Sequence, residues 1–284
     1  MNGPWRSLAF APFLFSALLL VASQAVFLQA SLHRDLGYGA LAPEITFENY
    51  LSVLRDGFYL RALGLSMEVS AAAALITVGL GFPVAYVLAR LEGRWTMVLM
   101  AVIVLTSFIS IVIKIYGLII IFSADGMLNH LLMTLGLAEQ PITIFGTRLG
   151  VVIGLTYFTF GFGVLVLYAI IRAIPRSLEE AAAVHGANRY RVFRRVILPL
   201  SLPGLSASFL TVFNMSMGAF TSAALLGGGK ILTIPVLIQR SILMDIKYGV
   251  GGVLSVLLMA AVLAVNVLSL AIIGRSGRRQ KVTA

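Results

Sequence analysis

Cysteine is absent from the 284 residues, which excludes disulfide frameworks and thiolate metal sites. Histidine is scarce: His33, His130 and His185 stand far apart without metal-ligand spacing and are read as loop residues. Charged residues make up only 11% of the chain, and 11 acidic side chains face 21 basic ones. The apolar stretches hold no paired carboxylates, no His-x-x-x-His spacing and no Ser/Lys dyad, which argues against an intramembrane enzyme. A nucleotide-binding loop is missing as well. GGGK at 227–230 lacks the G-x-x-x-x-G-K-[ST] spacing and is followed by Ile231. No internal repeat relates the two halves, which disfavours the inverted-repeat secondary transporters.

What the chain has in abundance is apolar length. Hydrophobic residues make up 60% and the mean hydropathy is +1.00. A helix needs roughly 20 apolar residues to cross the hydrocarbon core. Six such stretches occur, at about 8–32, 63–89, 95–122, 149–171, 201–226 and 250–273. Backbone polar groups cannot go unpaired in lipid, so each is expected to be helical. The fold class is an all-α membrane protein with six transmembrane helices. The first run is too long for a signal-peptide core and has no A-x-A site after it, so it is read as an uncleaved span.

The net charge of +10 raises the question of nucleic acid, but its distribution answers it. With the N-terminus placed inside, one side of the membrane carries 13 basic residues: Arg6, Arg90, Arg94, Arg172, Arg176, Arg189, Arg191, Arg194, Arg195, Arg275, Arg278, Arg279 and Lys281. Only Glu92, Glu179 and Glu180 oppose them there, while the other side balances at seven basic and seven acidic. This is the positive-inside pattern, so topology accounts for the charge and no nucleic-acid partner is expected. Both termini are placed in the cytoplasm. Three external and two internal connections follow. The external stretch 33–62 is expected to be partly ordered, and 123–148 to hold a short helix with apolar positions at 128, 131, 132 and 135. The third, 227–250, opens on the flexible GGGK, and RLEGRW at 90–95 reads as a tight internal turn.

The second internal connection, PRSLEEAAAVHGANRYRVFRRVILP at 175–199, is a charged island between apolar runs. Pro175 ends the fourth span, and Ser177 with Glu180 has the S-x-x-E capping-box spacing. Glu179 and Glu180 sit where a helix dipole favours negative charge. Ala181, Ala182 and Ala183 are strong helix formers without bulk, so a partner can approach closely. Gly186 supplies a left-handed terminator. A second short helix is expected over about 188–196, bearing Arg189, Arg191, Arg194 and Arg195, with Pro199 and Pro203 turning the chain into the fifth span. Two short helices with a small-residue surface at the bend make a docking site for a soluble partner.

The spacing E-A-A-x3-G-x9-[IV]-x-L-P is met by Glu180, Ala181, Ala182, Gly186, Val196, Leu198 and Pro199. It resembles the EAA loop of binding-protein-dependent ABC importer permeases, with Val196 where isoleucine is more usual. GFPVAYVLAR at 81–90 resembles the G-x-P-x-A-Y segment of the same permeases. IKIYG, DGMLNHLLMTLGL and TSAALLGGGK resemble the spermidine and putrescine subfamily, with Ser222 and Ala223 where threonine and proline are usual. The likeness covers roughly 45–275. It implies a type I importer permease (MetI-like) fold: residues 1–62 as N-terminal tip, first span and external loop, a permease core at 63–275, and a tail at 276–284. It also implies a multi-pass protein of the bacterial inner membrane, paired with a second, non-identical permease. Two cytoplasmic ATPase subunits would bind ATP and Mg, so this chain would carry no cofactor. An external solute-binding protein would deliver a polyamine, an opine-like compound or a related small solute. The coupling segment would comprise Ser177, Glu179, Glu180, Ala181, Ala182, Ala183, His185, Gly186, Arg189, Leu198 and Pro199.

Ionisable residues inside spans cost about 2.5–3.5 kcal/mol on insertion scales and usually face a bundle interior or water. Two occur here: Glu68 near the outer end of the second span and Lys114 deep in the third. They are read either as lining the translocation pathway or as a structural Glu–Lys pair. A bare Lys114 in the pathway would repel a polyamine, so it is paired, or turned away, or meets a solute carboxylate. Tyr116, Tyr157, Asn214 and Phe220 are further candidates for a polar-aromatic lining. Gly79, Gly81, Gly154, Gly161 and Gly163 are read as helix-packing positions. An ion-coupled secondary transporter is the competing reading, for which Glu68 alone would have to carry the coupling.

Overall fold

The computed structural model describes residues 5–280, with side-chain surroundings given for most of 10–271. The basic side chains of Arg6, Arg275, Arg278, Arg279 and Lys281, on which the charge partition partly rests, lie outside that set.

Along the chain, α1 (Trp5–Ser31) leads into a hairpin of β1 (His33–Gly37) and β2 (Ala40–Ile45), then α2 (Glu48–Arg55). Next come α3 (Gly57–Arg90), α4 (Arg94–Phe108), α5 (Ile111–Ile121), α6 (Met127–Thr134) and α7 (Arg148–Arg172). After α7 stand α8 (Ser177–Val184) and α9 (Arg189–Val192), which winds through a π-helical turn (Phe193–Ile197) into α10 (Leu198–Met217). Last are α11 (Phe220–Leu226), α12 (Ile234–Gln239), a second π-helical turn (Arg240–Met244) and α13 (Tyr248–Gln280).

Among the described residues five helices are long and apolar enough to cross a membrane, and α4 with α5 makes a sixth span if the bent pair counts as one. The third span, expected as one helix over about 95–122, is broken: α4 and α5 meet at 94°. Ile109 and Ser110 take extended ψ values of 137° and 129°, which stops the helical ladder. One turn earlier, the hydroxyls of Thr106 and Ser107 donate to the carbonyls of Val102 (2.7 Å) and Ile103 (2.8 Å), a back-bonding that loosens helices. Two other spans also shift. The second helix begins at Gly57, not 63, and the fifth stops at Met217, where Ala219 turns extended before α11. The helix expected in 123–148 is α6, anchored by Asn129, which donates to Ser123 and Ile142 carbonyls and accepts from Ile142 N–H.

The described chain divides into two compact units. One holds the chain up to Leu63 together with Ile234–Ala261. Within it the stretch 33–62, expected to be partly ordered, holds a hairpin: β1 and β2 pair antiparallel with His33 opposite Ile45 and Asp35 opposite Leu41. The Asp35 carboxylate accepts the N–H groups of Gly249 (2.8 Å) and Val250 (3.0 Å), satisfying donors at the start of α13. Asn49 donates to the His33 carbonyl at 2.7 Å, and the Ser31 and Tyr50 hydroxyls meet at 2.7 Å.

The other unit holds Gly64–Thr233 and the chain from Val262. Its main core joins Phe82, Ala85, Leu88 and Ala89 of α3 to Val164, Leu167 and Ile171 of α7, with Ile174 and Ile197 closing the end. Lipid supplies no hydrophobic drive between helices, so close packing at small residues has to hold them. Gly81, Gly154, Gly161 and Gly163 indeed lie against neighbouring side chains, whereas Gly79 faces open space. Buried hydroxyls add cross-links: Thr77 with Thr159 at 3.2 Å, and Ser208 donating to the Gly163 carbonyl at 3.2 Å.

Candidate functional site

The 175–199 loop forms its first helix, but not by the expected capping box. Arg176 is the cap residue, already in helical conformation, and no side chain caps the end. The Pro175 and Arg176 carbonyls accept the N–H groups of Leu178, Glu179 and Glu180 (2.9–3.3 Å), so winding starts before Ser177. Ser177 then falls inside the first turn, and no capping bond joins it to Glu180. The far end follows the sequence reading. Gly186 has φ +79°, its N–H donates to Ala183 O (2.9 Å), and Ala187 N–H donates to Ala182 O (3.1 Å). This pair of bonds is the Schellman motif.

The second helix is corrected in the other direction. Asn188 caps it by accepting the Arg191 N–H at 2.9 Å, but α9 does not end before the fifth span. It continues through the π turn, where Leu198 N–H reaches back to Phe193 O, into α10. Pro199 and Pro203 sit in α10 without turning the chain. Pro199 has no N–H to donate, and the wide π turn just before it absorbs the missing bond.

Ala181, Ala183, Val184, His185, Gly186 and Arg189 are exposed, while Ala182 is half-buried. Val184 at 85% and Tyr190 at 67% are among the most exposed large apolar side chains. Helix α8 is fastened down through Glu179. Glu179 lies 2.6 Å from Arg90 Nε and accepts a hydrogen bond from the Tyr86 hydroxyl at 3.1 Å. Arg90 stands over the Tyr86 ring and donates to the Ile174 carbonyl (3.3 Å). Arg172 donates to Ala89 O (2.9 Å), and Arg176 donates to Arg90 O (2.7 Å) and pairs with Glu92. Two arginines, Arg172 and Arg176, thus close carbonyls at the end of α3, favoured there by the helix dipole, while Arg90 closes one just past α7. Beneath α8, Tyr86, Glu179, Ala183, Arg189, Val192 and Phe193 line a cavity of about 430 Å³. Tyr86, Arg90, Arg172 and Arg176 escaped the sequence reading of this site. Their only signal was spacing for one pair: Tyr86 and Arg90 are four apart in α3 and share a helix face.

The candidate pathway residues have separate surroundings. Glu68 pairs with Arg148 at 3.1 Å, both well exposed, which replaces the expected Glu–Lys pair. Lys114, just past the break, is buried, with its ammonium 5.4 Å from the Tyr157 ring centroid. Asn214 of α10 and Asn266 of α13 exchange two amide hydrogen bonds at 3.0 and 3.1 Å. Tyr116 is exposed on α5, and Phe220 opens α11. The structure therefore brings together only Lys114 and Tyr157 of this set.

Residues 77–282 match the family described as binding-protein-dependent transport system inner membrane component. The spermidine/putrescine transport system permease protein PotB of Haemophilus influenzae is 33% identical over 238 residues, 84% of this chain and 82% of that protein. PotB of Escherichia coli K12 is 37% identical over 189 residues, covering 66% and 68%. Among solved structures, a bacterial ABC transporter that imports the acidic polysaccharide alginate superposes with a TM-score of 0.75 at 21% identity, covering 94% and 96%. The MetNI methionine ABC transporter in an inward-facing conformation gives 0.60 at 18% identity, covering 80% and 98%. These likenesses fix the fold as that of an ABC importer permease, a transport subunit and not an enzyme. The chain belongs to the binding-protein-dependent transport system inner membrane components, as a multi-pass inner-membrane permease.

Proposed function

We propose that this chain is one of two permease subunits in an importer of small polyamine-class cations, with the 175–199 loop as its coupling element. Identity to PotB across most of both chains supports the solute class. The geometry of α8 supports the coupling role, and one observation carries it. Exposed Ala181, Ala183, Val184 and Gly186 offer a surface without charge, while Glu179 of the same short helix is ion-paired to the end of α3. A push on that surface is thereby delivered to a spanning helix.

In this reading the loop and both termini lie in the cytoplasm, and Glu180, His185 and Arg189 contact an ATPase subunit around the small-residue surface. Ser177, Leu198 and Pro199 hold the loop's two ends. Two ATPase subunits supply ATP and Mg, a solute-binding protein delivers cargo, and ATP-driven closure switches the permease pair between inward- and outward-facing states. The test is solute-stimulated ATP hydrolysis by the purified complex in nanodiscs, with the binding protein loaded with spermidine. Gly186→Asp and Glu180→Lys are expected to abolish stimulation while leaving membrane insertion intact. Normal stimulation in both variants refutes the coupling assignment.

A further inference from the structure

Lys114 is the buried charge that the described residues leave without a counter-ion. It is only 5% exposed, and Glu68, the one carboxylate foreseen for it, is bound to Arg148. Its ammonium points over Tyr157 at the edge of a cavity of about 220 Å³ in the crook between α4, α5 and α7. Val102, Ile103, Thr106, Ser107, Phe160 and Gly161 complete the wall. Gly161 lets α7 lie close against α4 here, because a Cβ there would lie 2.0 Å from Ser107 Oγ. The Thr106 and Ser107 hydroxyl protons are already given to their own helix, so Lys114 is the strong free donor in the pocket.

A membrane-embedded ammonium with three donors and no anion is costly, and lipid tails offer nothing to offset it. The Tyr157 face attracts the cation but accepts only part of its hydrogen-bonding capacity. A cavity of 220 Å³ holds roughly seven waters at about 30 Å³ each, which is room for a carboxylate group. A free amine of a cationic cargo would be repelled there.

We propose that the Lys114 pocket is a carboxylate-binding site whose anion comes from outside this chain. Two sources share that chemistry: an Asp or Glu of the second permease subunit, or a carboxylate on the transported solute. The second source rests on the importer reading, with a cargo that bears a carboxylate beside its amines in place of a simple polyamine.

The experiment uses the complete complex in nanodiscs with Lys114→Met, which keeps the side chain's bulk, Lys114→Arg, which keeps its charge, and Lys114→Glu, which inverts it. If the second permease supplies the carboxylate, the solute-free complex melts lower in the methionine variant, lower still in the glutamate variant, and near wild type in the arginine variant. If the solute supplies it, solute-free melting is unchanged. Uptake of ornithine relative to putrescine, which differ by one carboxylate, then falls about tenfold in the methionine variant, the loss of one charged hydrogen bond. Should the methionine variant fail to assemble, assembly of the arginine variant upholds the proposal and its failure overturns it. A methionine variant as stable as wild type or more so, with an unchanged ornithine-to-putrescine ratio, also overturns it, because an unpaired structural charge is expected to behave that way. A wild-type complex without solute-stimulated ATP hydrolysis refutes the importer reading separately, and the melting comparison still reads the pocket.

Discussion

Glu179 of α8 and Arg90 at the end of α3 form an ion pair at 2.6 Å, with side chains only 20% and 15% exposed. Within α8 it is the residue next to the motif glutamate, not the motif glutamate itself, that is ion-paired to a spanning helix, beside the Arg176 bond to the Arg90 carbonyl. A pair so shielded from water resists salt screening better than an exposed one. Removing one partner leaves the other charge partly desolvated.

Glu179→Gln is therefore expected to destabilise the permease by about 1–3 kcal/mol and to lower solute-stimulated ATP hydrolysis several-fold. Basal hydrolysis should persist, since the substitution leaves the exposed surface of α8 in place. Thermal unfolding in detergent and ATPase assays of the complex read the two effects. Stimulation at the wild-type level would mean that α8 reaches α3 by another route.

Gly186 sits at φ +79°, and a Cβ there meets no neighbouring atom. Steric space is free, so the cost of Gly186→Ala is backbone strain, about 1–2 kcal/mol. The helix end should fray, and coupling should weaken without the complete loss expected of the charged Gly186→Asp. Graded ATPase stimulation, wild type above alanine above aspartate, checks this order.

Asn214 and Asn266 tie α10 to the distal part of α13 through two amide bonds. Inter-helix polar bonds in membranes average about 0.6 kcal/mol and reach about 1.7. A double-mutant cycle with Asn214→Leu and Asn266→Leu is expected to return a coupling energy in that range. Each single variant leaves one amide facing leucine, so the double variant should be less destabilised than the sum. Additive losses would show that the two amides act independently.

Much of this architecture was legible because its causes are local. Apolar length marks the spans, glycine's φ ends α8, and the loop's motif spacing is a matter of sequence positions alone. Where the reading failed, a non-local or competing bond decided. The capping box lost to the Pro175 and Arg176 carbonyls, which were already wound into the helix. The 94° bend came from hydroxyl back-bonding and two extended residues in a run that is uniformly apolar by composition. Glu68 found Arg148, 80 residues away, and no periodicity in sequence encodes that choice. The Tyr86, Arg90 and Glu179 cluster was hidden for the same reason, with 93 residues between Tyr86 and Glu179.

Gly150 provides the sharpest packing test, because its neighbour is backbone and cannot rotate away. A Cβ at this position would lie 2.1 Å from the Ile144 carbonyl oxygen and 3.0 Å from its carbon. The same glycine donates its N–H to Thr147 Oγ1 at 3.0 Å, the cap that starts α7. Ile144 itself is buried beside Ile115 and Leu226, so the chain before α7 cannot shift without disturbing that cluster. Gly150→Ala must therefore displace the 144–147 turn, stretch the cap, or both. Overpacking of this kind costs about 1–3 kcal/mol, and a lost cap about 1 more. The expected outcome is a markedly lower melting point in detergent, exceeding that of Thr147→Ala, which removes the cap alone. Equal melting points for the two variants would show that the carbonyl contact yields freely and that the cap is the whole effect.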